Sequence, residues 1–88
     1  MSEINQITGR QLAAARALTG LGQTDLAALA NISAPTLRRM EASEGPVTGM
    51  ANNIAAVVRV LYDQGVLFLD GPYSGEGGPG VRLRDRQA

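Results

Sequence analysis

All eight basic residues of this 88-residue chain are arginines, and two of them, Arg38 and Arg39, are adjacent. A guanidinium group carries a planar fork of donors that fits two targets, the O6 and N7 edge of guanine and the oxygens of a phosphate. Adjacent residues of a helix point about 100° apart, so one arginine can meet a base while the other meets a phosphate. The alternative interpretation is a pair of solvated charges.

The composition excludes most catalytic chemistry. The chain has no histidine and no cysteine, which removes the commonest general base, the thiolate nucleophile and the usual zinc ligands. The carboxylates show no paired spacing, and the glycine-rich residues 71–80 are followed by neither a lysine nor a helix, as a nucleotide-binding loop requires. We therefore predict a protein that is not an enzyme and that binds no metal and no cofactor.

Charge and hydropathy limit the location and the partners. The formal net charge is zero, so a basic surface of the kind that binds nucleic acid must come from the local placement of arginines. No apolar run is long enough to span a bilayer, and residues 1–8 lack the basic and apolar regions of a signal peptide. These features predict a cytoplasmic protein without a membrane partner.

Short helices separated by turn signals are predicted over residues 8–42. A capping box at Thr8 and Gln11 begins the first helix, the second covers residues 23–30, and Ser33 caps a third that ends near residue 42. Apolar residues recur at helical spacing and are predicted to face a common core. They are Leu12, Ala15, Leu18, Leu26, Leu29, Ala30, Leu37 and Met40.

A fourth helix is predicted over residues 50–64, where the apolar stripe has a period close to 3.6. The stripe consists of Met50, Ile54, Val57, Val58 and Leu61.

The tail changes character after this helix. Residues 66–69 are apolar and residues 81–84 alternate apolar with charged, so each run has a strand pattern, and the run of glycines between them predicts a loop. An isolated hairpin is marginal in water, so these strands must pack on the helices or on a second subunit. The predicted fold class is mainly α: four to five helices in residues 8–64, then a short C-terminal β-hairpin in residues 65–88.

Residues 21–41 have the pattern of two helices joined by a tight turn, in which small Ala27 allows a close approach between the helices. The residues that match a known family are Arg16, in the preceding helix, and Leu21, Gln23, Leu26, Ala27, Ile32, Ser33, Thr36, Leu37, Met40 and Glu41. On these residues the chain resembles the Xre/Cro-type, lambda-repressor-like helix-turn-helix family of phage repressors and bacterial regulators. Two positions depart from the family pattern: Gly22 replaces the usual Ser or Thr N-cap, and Asn31 replaces the usual turn glycine.

The resemblance implies that the third helix, residues 33–42, is a recognition helix lying in the DNA major groove. Its first turn would meet base edges, and Arg39 would contact a base, with Arg38 a nearly equal candidate. Gln23 would bond a phosphate or order the recognition helix. The implied DNA-binding residues are Gln23, Ser33, Ala34, Pro35, Thr36, Arg38 and Arg39.

The resemblance also implies a structural pair. In the family, the residues matching Arg16 and Glu41 form a partly buried ion pair that ties the first helix to the recognition helix. We therefore interpret Glu41 as structural and not as catalytic.

The predicted function is a transcriptional regulator that binds an operator in double-stranded DNA as a homodimer. The predicted dimer surface is the hairpin, through Val66, Phe68, Val81 and Leu83, together with the final helix. The arginines at positions 82, 84 and 86 would then be solvated, the alternative being a wing that contacts DNA. The alternative function is a protein-interaction module, such as an antitoxin or anti-regulator, whose partner is a second regulatory protein. DNA binding would place the protein at the bacterial nucleoid.

Overall fold

The computed structural model describes residues 7–69 and 77–84. In those residues four helices precede a two-stranded antiparallel hairpin, which confirms the predicted fold class. Part of the predicted glycine-rich loop, residues 70–76, and Arg86 lie outside the described residues. In chain order the elements are α1 (Gly9–Thr19), α2 (Gln23–Ala30), α3 (Ala34–Glu41), α4 (Ala51–Asp63), β1 (Val66–Leu69) and β2 (Gly80–Leu83).

Local signals set the bounds of the first two helices. Thr8 Oγ1 accepts a hydrogen bond from Gln11 N at 3.0 Å, and Gln11 Oε1 accepts one from Thr8 N at 2.9 Å, so the predicted capping box forms. Gly20 ends α1 with φ 81°, and Asn31 ends α2 with φ 60°. Asparagine tolerates this left-handed conformation, so the turn keeps its geometry without the family's glycine.

One apolar core joins the helices to the hairpin. Helix α1 packs on α3 and on both strands, and α2 packs on α3 and α4. Because aromatic residues are scarce, aliphatic side chains and methionine fill the interior. The largest fully buried side chains are Leu12, Leu26, Leu37, Met40, Val57, Leu61 and Val66.

Three residues predicted to face the core are exposed. Leu18, Leu29 and Met50 keep 44%, 55% and 65% of their surface in solvent. Leu18 lies in the last turn of α1. Each residue turns a helix by about 100°, so the buried residues of α2, which are Leu26, Ala27 and Ala30, share one face. Leu29 points about 100° away from the middle of that face. Met50 precedes α4 as its N-cap in extended conformation, so it does not share the helix's inner face.

The hairpin turns one face toward the helices. Val66 pairs with Leu83 and Phe68 pairs with Val81, so these four side chains share a face. Val66 is completely buried, and the other three pack against the core. Val66 thus contributes its whole surface to the chain's own core, and Phe68, Val81 and Leu83 are half-buried on the chain's own helices.

Gln11 fastens the hairpin to α1. Its Nε2 donates to Leu69 O at 2.9 Å and to Gly80 O at 3.0 Å, which are the last residue of β1 and the first residue of β2. The side chain is 4% exposed, and both halves of its amide are used, since Oε1 serves the capping box at Thr8. One amide thus starts a helix and holds both strands.

Gln11→Glu tests this attachment. The carboxylate keeps an oxygen that accepts from Thr8 N, but its second oxygen replaces the amide that donates to Leu69 O and Gly80 O. Each lost buried hydrogen bond costs about 1–3 kcal/mol. We expect the amides of β1 and β2 to exchange hydrogen faster while α1 stays protected. Gln64→Glu, at an exposed glutamine, is the matched control. Unchanged protection of the strands in Gln11→Glu would contradict the attachment.

The start of α1 lies directly against the end of α3. Gly9 N donates to Gly45 O at 3.2 Å, and a Cβ on Gly9 would lie 2.7 Å from Glu41 O and 2.8 Å from Met40 O. Side-chain carbon atoms do not approach backbone oxygens this closely in real structures. Glycine is therefore required here by close approach between backbones.

Gly9→Ala should lower the free energy of unfolding by about 1–3 kcal/mol, because the two backbone segments must move apart. Gly45→Ala is the control, since a Cβ there meets nothing within 4 Å. Urea unfolding followed by circular dichroism measures both variants. If the two variants are equally stable, the backbones of α1 and α3 can move apart at little cost, and glycine is not required at position 9.

Candidate nucleic-acid interface

A tight turn sets the angle between α2 and α3. Ile32 N donates to Ala27 O at 2.9 Å and Asn31 N donates to Ala28 O at 3.1 Å, so the chain reverses within two residues of the end of α2. Ala27 is buried where the helices meet, and Leu37 of α3 is fully buried. The two helices form the compact helix-turn-helix unit that the sequence pattern predicts.

Helix α3 has one buried face and one exposed face. Leu37 and Met40 are buried, whereas Pro35, Arg38 and Arg39 are exposed. Both arginines lie in the last turn of α3, where a positive charge is favoured by the helix dipole. The exposed face therefore presents two guanidinium groups from a helix fixed by its opposite side.

The first turn of α3 uses some of its polar groups internally. Ser33 Oγ accepts from Thr36 N at 3.1 Å and donates to Thr36 Oγ1 at 2.8 Å. The Ser33 hydroxyl is thus committed to the cap, and the Thr36 hydroxyl hydrogen remains for an outside acceptor. Ala34 is half-buried and packs against the core, so Pro35 is the more exposed apolar residue of this turn.

Three helices meet at the carboxylate of Glu41. Arg16 binds it through both arms of the guanidinium, Nε to Oε2 at 2.7 Å and Nη2 to Oε1 at 3.0 Å. Gln23 Nε2 also donates to Oε1, at 2.9 Å, and Arg16 Nη1 donates to Leu21 O at 3.2 Å. Gln23 is therefore placed to orient α3 through Glu41.

The ion pair is shielded from solvent. The Glu41 side chain is 6% exposed and that of Arg16 is 22% exposed. The hydrogen bond to Glu41 raises the pKa of Arg16 above its ordinary value, although burial opposes the rise. This pair is the one salt bridge within residues 7–69 and 77–84.

A groove beside α3 contains residues that the sequence does not predict to belong to the site. Its volume is about 280 Å³, slightly below the roughly 300–1,000 Å³ of typical small-molecule pockets, and it opens beside Arg39. Thr48 and Asn53 add hydroxyl and amide groups next to that arginine. Only the tertiary structure brings these residues to α3, because the segment between α3 and α4 has no regular pattern. The lining residues are Thr36, Arg39, Met40, Thr48, Gly49, Met50 and Asn53.

The arginines of the hairpin have separate surroundings. Arg82 is exposed on the strand face opposite the core. Arg84 stacks on the Tyr62 ring, with Cζ 4.5 Å from the ring centroid, and its Nη1 donates to Tyr62 O at 3.2 Å. Arg84 thus holds the end of the hairpin against α4.

The comparison with protein families agrees with this geometry. Residues 8–61 match the family model described as a helix-turn-helix domain, which covers more than half of the chain. The chain belongs to this helix-turn-helix domain family. Membership of the family indicates that the protein binds DNA. None of the curated proteins matches it. Among the described helices, none has the length and apolar character needed to cross a membrane.

Arg16→Met should lower the free energy of unfolding by about 3–5 kcal/mol, because it leaves Glu41 buried without its cation. The double variant Arg16→Met with Glu41→Leu should recover part of this loss, since no charge is then buried. Denaturant unfolding of the wild type, both single variants and the double variant gives the coupling energy. Additive losses would show that the two side chains act independently.

Proposed function

We propose that this protein is a sequence-specific transcriptional regulator of the Xre/Cro type, with α3 as the helix that enters the DNA major groove. The observation that carries the proposal is the exposed pair Arg38 and Arg39 on a helix whose opposite face is fully buried. The Glu41 network supports it, because rigid placement of a recognition helix limits the registers in which its arginines can meet bases.

Base reading is assigned to the exposed face of α3. A bidentate arginine–guanine contact contributes about 1–3 kcal/mol of discrimination, and either Arg38 or Arg39 has the exposure for it. Thr36 adds one hydroxyl donor, and Pro35 adds apolar contact of the kind a thymine methyl accepts. Ser33 and Ala34 take smaller parts, since the first is committed to the cap and the second is half-buried.

Phosphate contact is assigned to the start of α2. Gln23 gives one amide hydrogen to Glu41, and it keeps a second hydrogen and a carbonyl oxygen. The N-terminal amides of α2 lie beside it, and such amides favour an anion. A phosphate bound there would fix the position of the whole motif on the duplex, as backbone contacts do in other DNA-binding proteins.

We also propose that the protein binds its operator as a homodimer and is not an enzyme. A chain of zero net charge with one eight-residue recognition helix offers few contacts, and a second copy doubles them. The hairpin has a smaller part than the sequence predicts, since Phe68, Val81 and Leu83 are half-buried on the chain's own helices. Operator binding would place the protein on the nucleoid, in the cytoplasm.

A protein-interaction module is the second candidate function. Zero net charge and the exposed Leu29 favour it, because a partner protein is recognised through apolar surface more than through phosphate-binding charge. The salt dependence of binding separates the two candidates, since contacts to several phosphates make DNA affinity fall steeply with salt.

Selection of bound sequences from random duplex DNA tests the proposed function. We expect a two-fold symmetric site whose affinity for the protein falls steeply as salt rises. Arg38→Ala and Arg39→Ala should each weaken binding, and the variant whose arginine reads a base should lose about 1–3 kcal/mol with relaxed preference at one position.

Arg82→Ala is the matched control, an exposed arginine on the hairpin. An equal loss of affinity in this variant would contradict the assignment of DNA reading to α3 and would favour a hairpin wing. If the selection at low salt yields no preferred sequence, the regulator proposal is overturned.

A further inference from the structure

The side of the molecule formed by α2 and α4 carries an exposed leucine beside a hollow. Leu29 is 55% exposed at the edge of a groove of about 410 Å³ that runs between the two helices. Ala55 and Ala56 line the groove on the α4 side, together with Val60 and Arg59. Because alanine side chains are short, they leave room for an apolar side chain from outside.

The same side carries two exposed charges of opposite sign. Asp25 lies one helical turn before Leu29 on α2, so both point to the same side of that helix. Arg59 lies on α4 at the groove. Neither Asp25 nor Arg59 forms a salt bridge with another residue in the described part of the chain.

These features are self-complementary. A two-fold axis places the same surface of two copies face to face, so that each residue i of one copy meets residue j of the other and the reverse. In such an arrangement the exposed Leu29 would enter the alanine-lined groove of the second copy, and its own groove would receive the second leucine. Asp25 and Arg59 lie on the two helices that border the groove, so each Asp25 would pair with the Arg59 of the opposite copy.

We propose that a second copy of this chain docks on the surface formed by Asp25, Leu29, Ala55, Ala56 and Arg59. The inference rests on the homodimer of the proposed function and gives it a surface other than the hairpin. The groove beside Arg39 shares no residue with this surface, so the exposed face of α3 stays free for DNA. The surface comprises parts of two helices, so association is weak in free solution and stronger when one operator holds both copies.

Charge exchange tests the docking. Sedimentation equilibrium of the full chain over a range of concentrations measures self-association of the wild type, Asp25→Arg and Arg59→Asp. Each variant should weaken it about tenfold, because two exposed ion pairs per dimer become repulsive. An equimolar mixture of the two variants should associate like the wild type, since both contacts of the mixed dimer again join an arginine to an aspartate.

A stability measurement and two further variants serve as controls. Asp25 also accepts a hydrogen bond from Gly22 N at 3.3 Å, so Asp25→Arg can shorten α2, and thermal unfolding checks this. Leu29→Ser changes an exposed side chain and should weaken association without lowering stability. Arg82→Asp makes the same charge change on the hairpin and should leave association unchanged.

The outcomes separate the surface from the function. A wild type that stays monomeric at the highest concentration measured overturns the docking, as does association that is equal in all variants. Failure of the mixture to recover also overturns it. If the wild type does not bind DNA, the proposed function is overturned. The sedimentation results do not depend on the DNA-binding measurement.

Discussion

The two-armed contact between Arg16 and Glu41 is the constraint on which the remainder of the site depends. Glu41 is the last residue of α3, and its buried carboxylate joins that helix to α1 through Arg16 and to α2 through Gln23. A buried carboxylate is costly without partners, so with Glu41 at this position the helices must pack in the arrangement that brings Arg16 and Gln23 to it. The contact also limits how α1 and α3 can be oriented, because a planar guanidinium group can donate to both oxygens of a carboxylate in few geometries.

Zero net charge conceals an uneven distribution of charge. One arginine is used inside the fold, a second holds the hairpin through Tyr62, and two adjacent ones are exposed on α3. The potential near a surface depends on such local placement, and distant charges are screened within about 10 Å at ordinary salt. A neutral protein can therefore present a basic helix face and a face of mixed charge on different sides.

The elements that local chemistry decides could be predicted from the sequence. The capping box at Thr8, the left-handed turn at Asn31 and the serine cap of α3 each depend on residues within four positions of one another. The inward placement of Leu29 was wrong, because a helix of eight residues gives the periodicity too few positions to define its inner face. The groove beside Arg39 and the reach of Gln11 to the strands could not be predicted, since both depend on contacts between distant parts of the chain.

The attachment at Gln11 has a consequence for the order in which the chain acquires its structure. The amide binds backbone atoms 58 and 69 positions further along, whereas each helix forms from contacts four residues apart. Closing such long loops costs conformational entropy, so we expect the helices to assemble before the hairpin docks. Until it docks, Val66 and Phe68 leave the interior open on one side. We therefore expect the hairpin to be the region through which the folded protein opens first under thermal fluctuation.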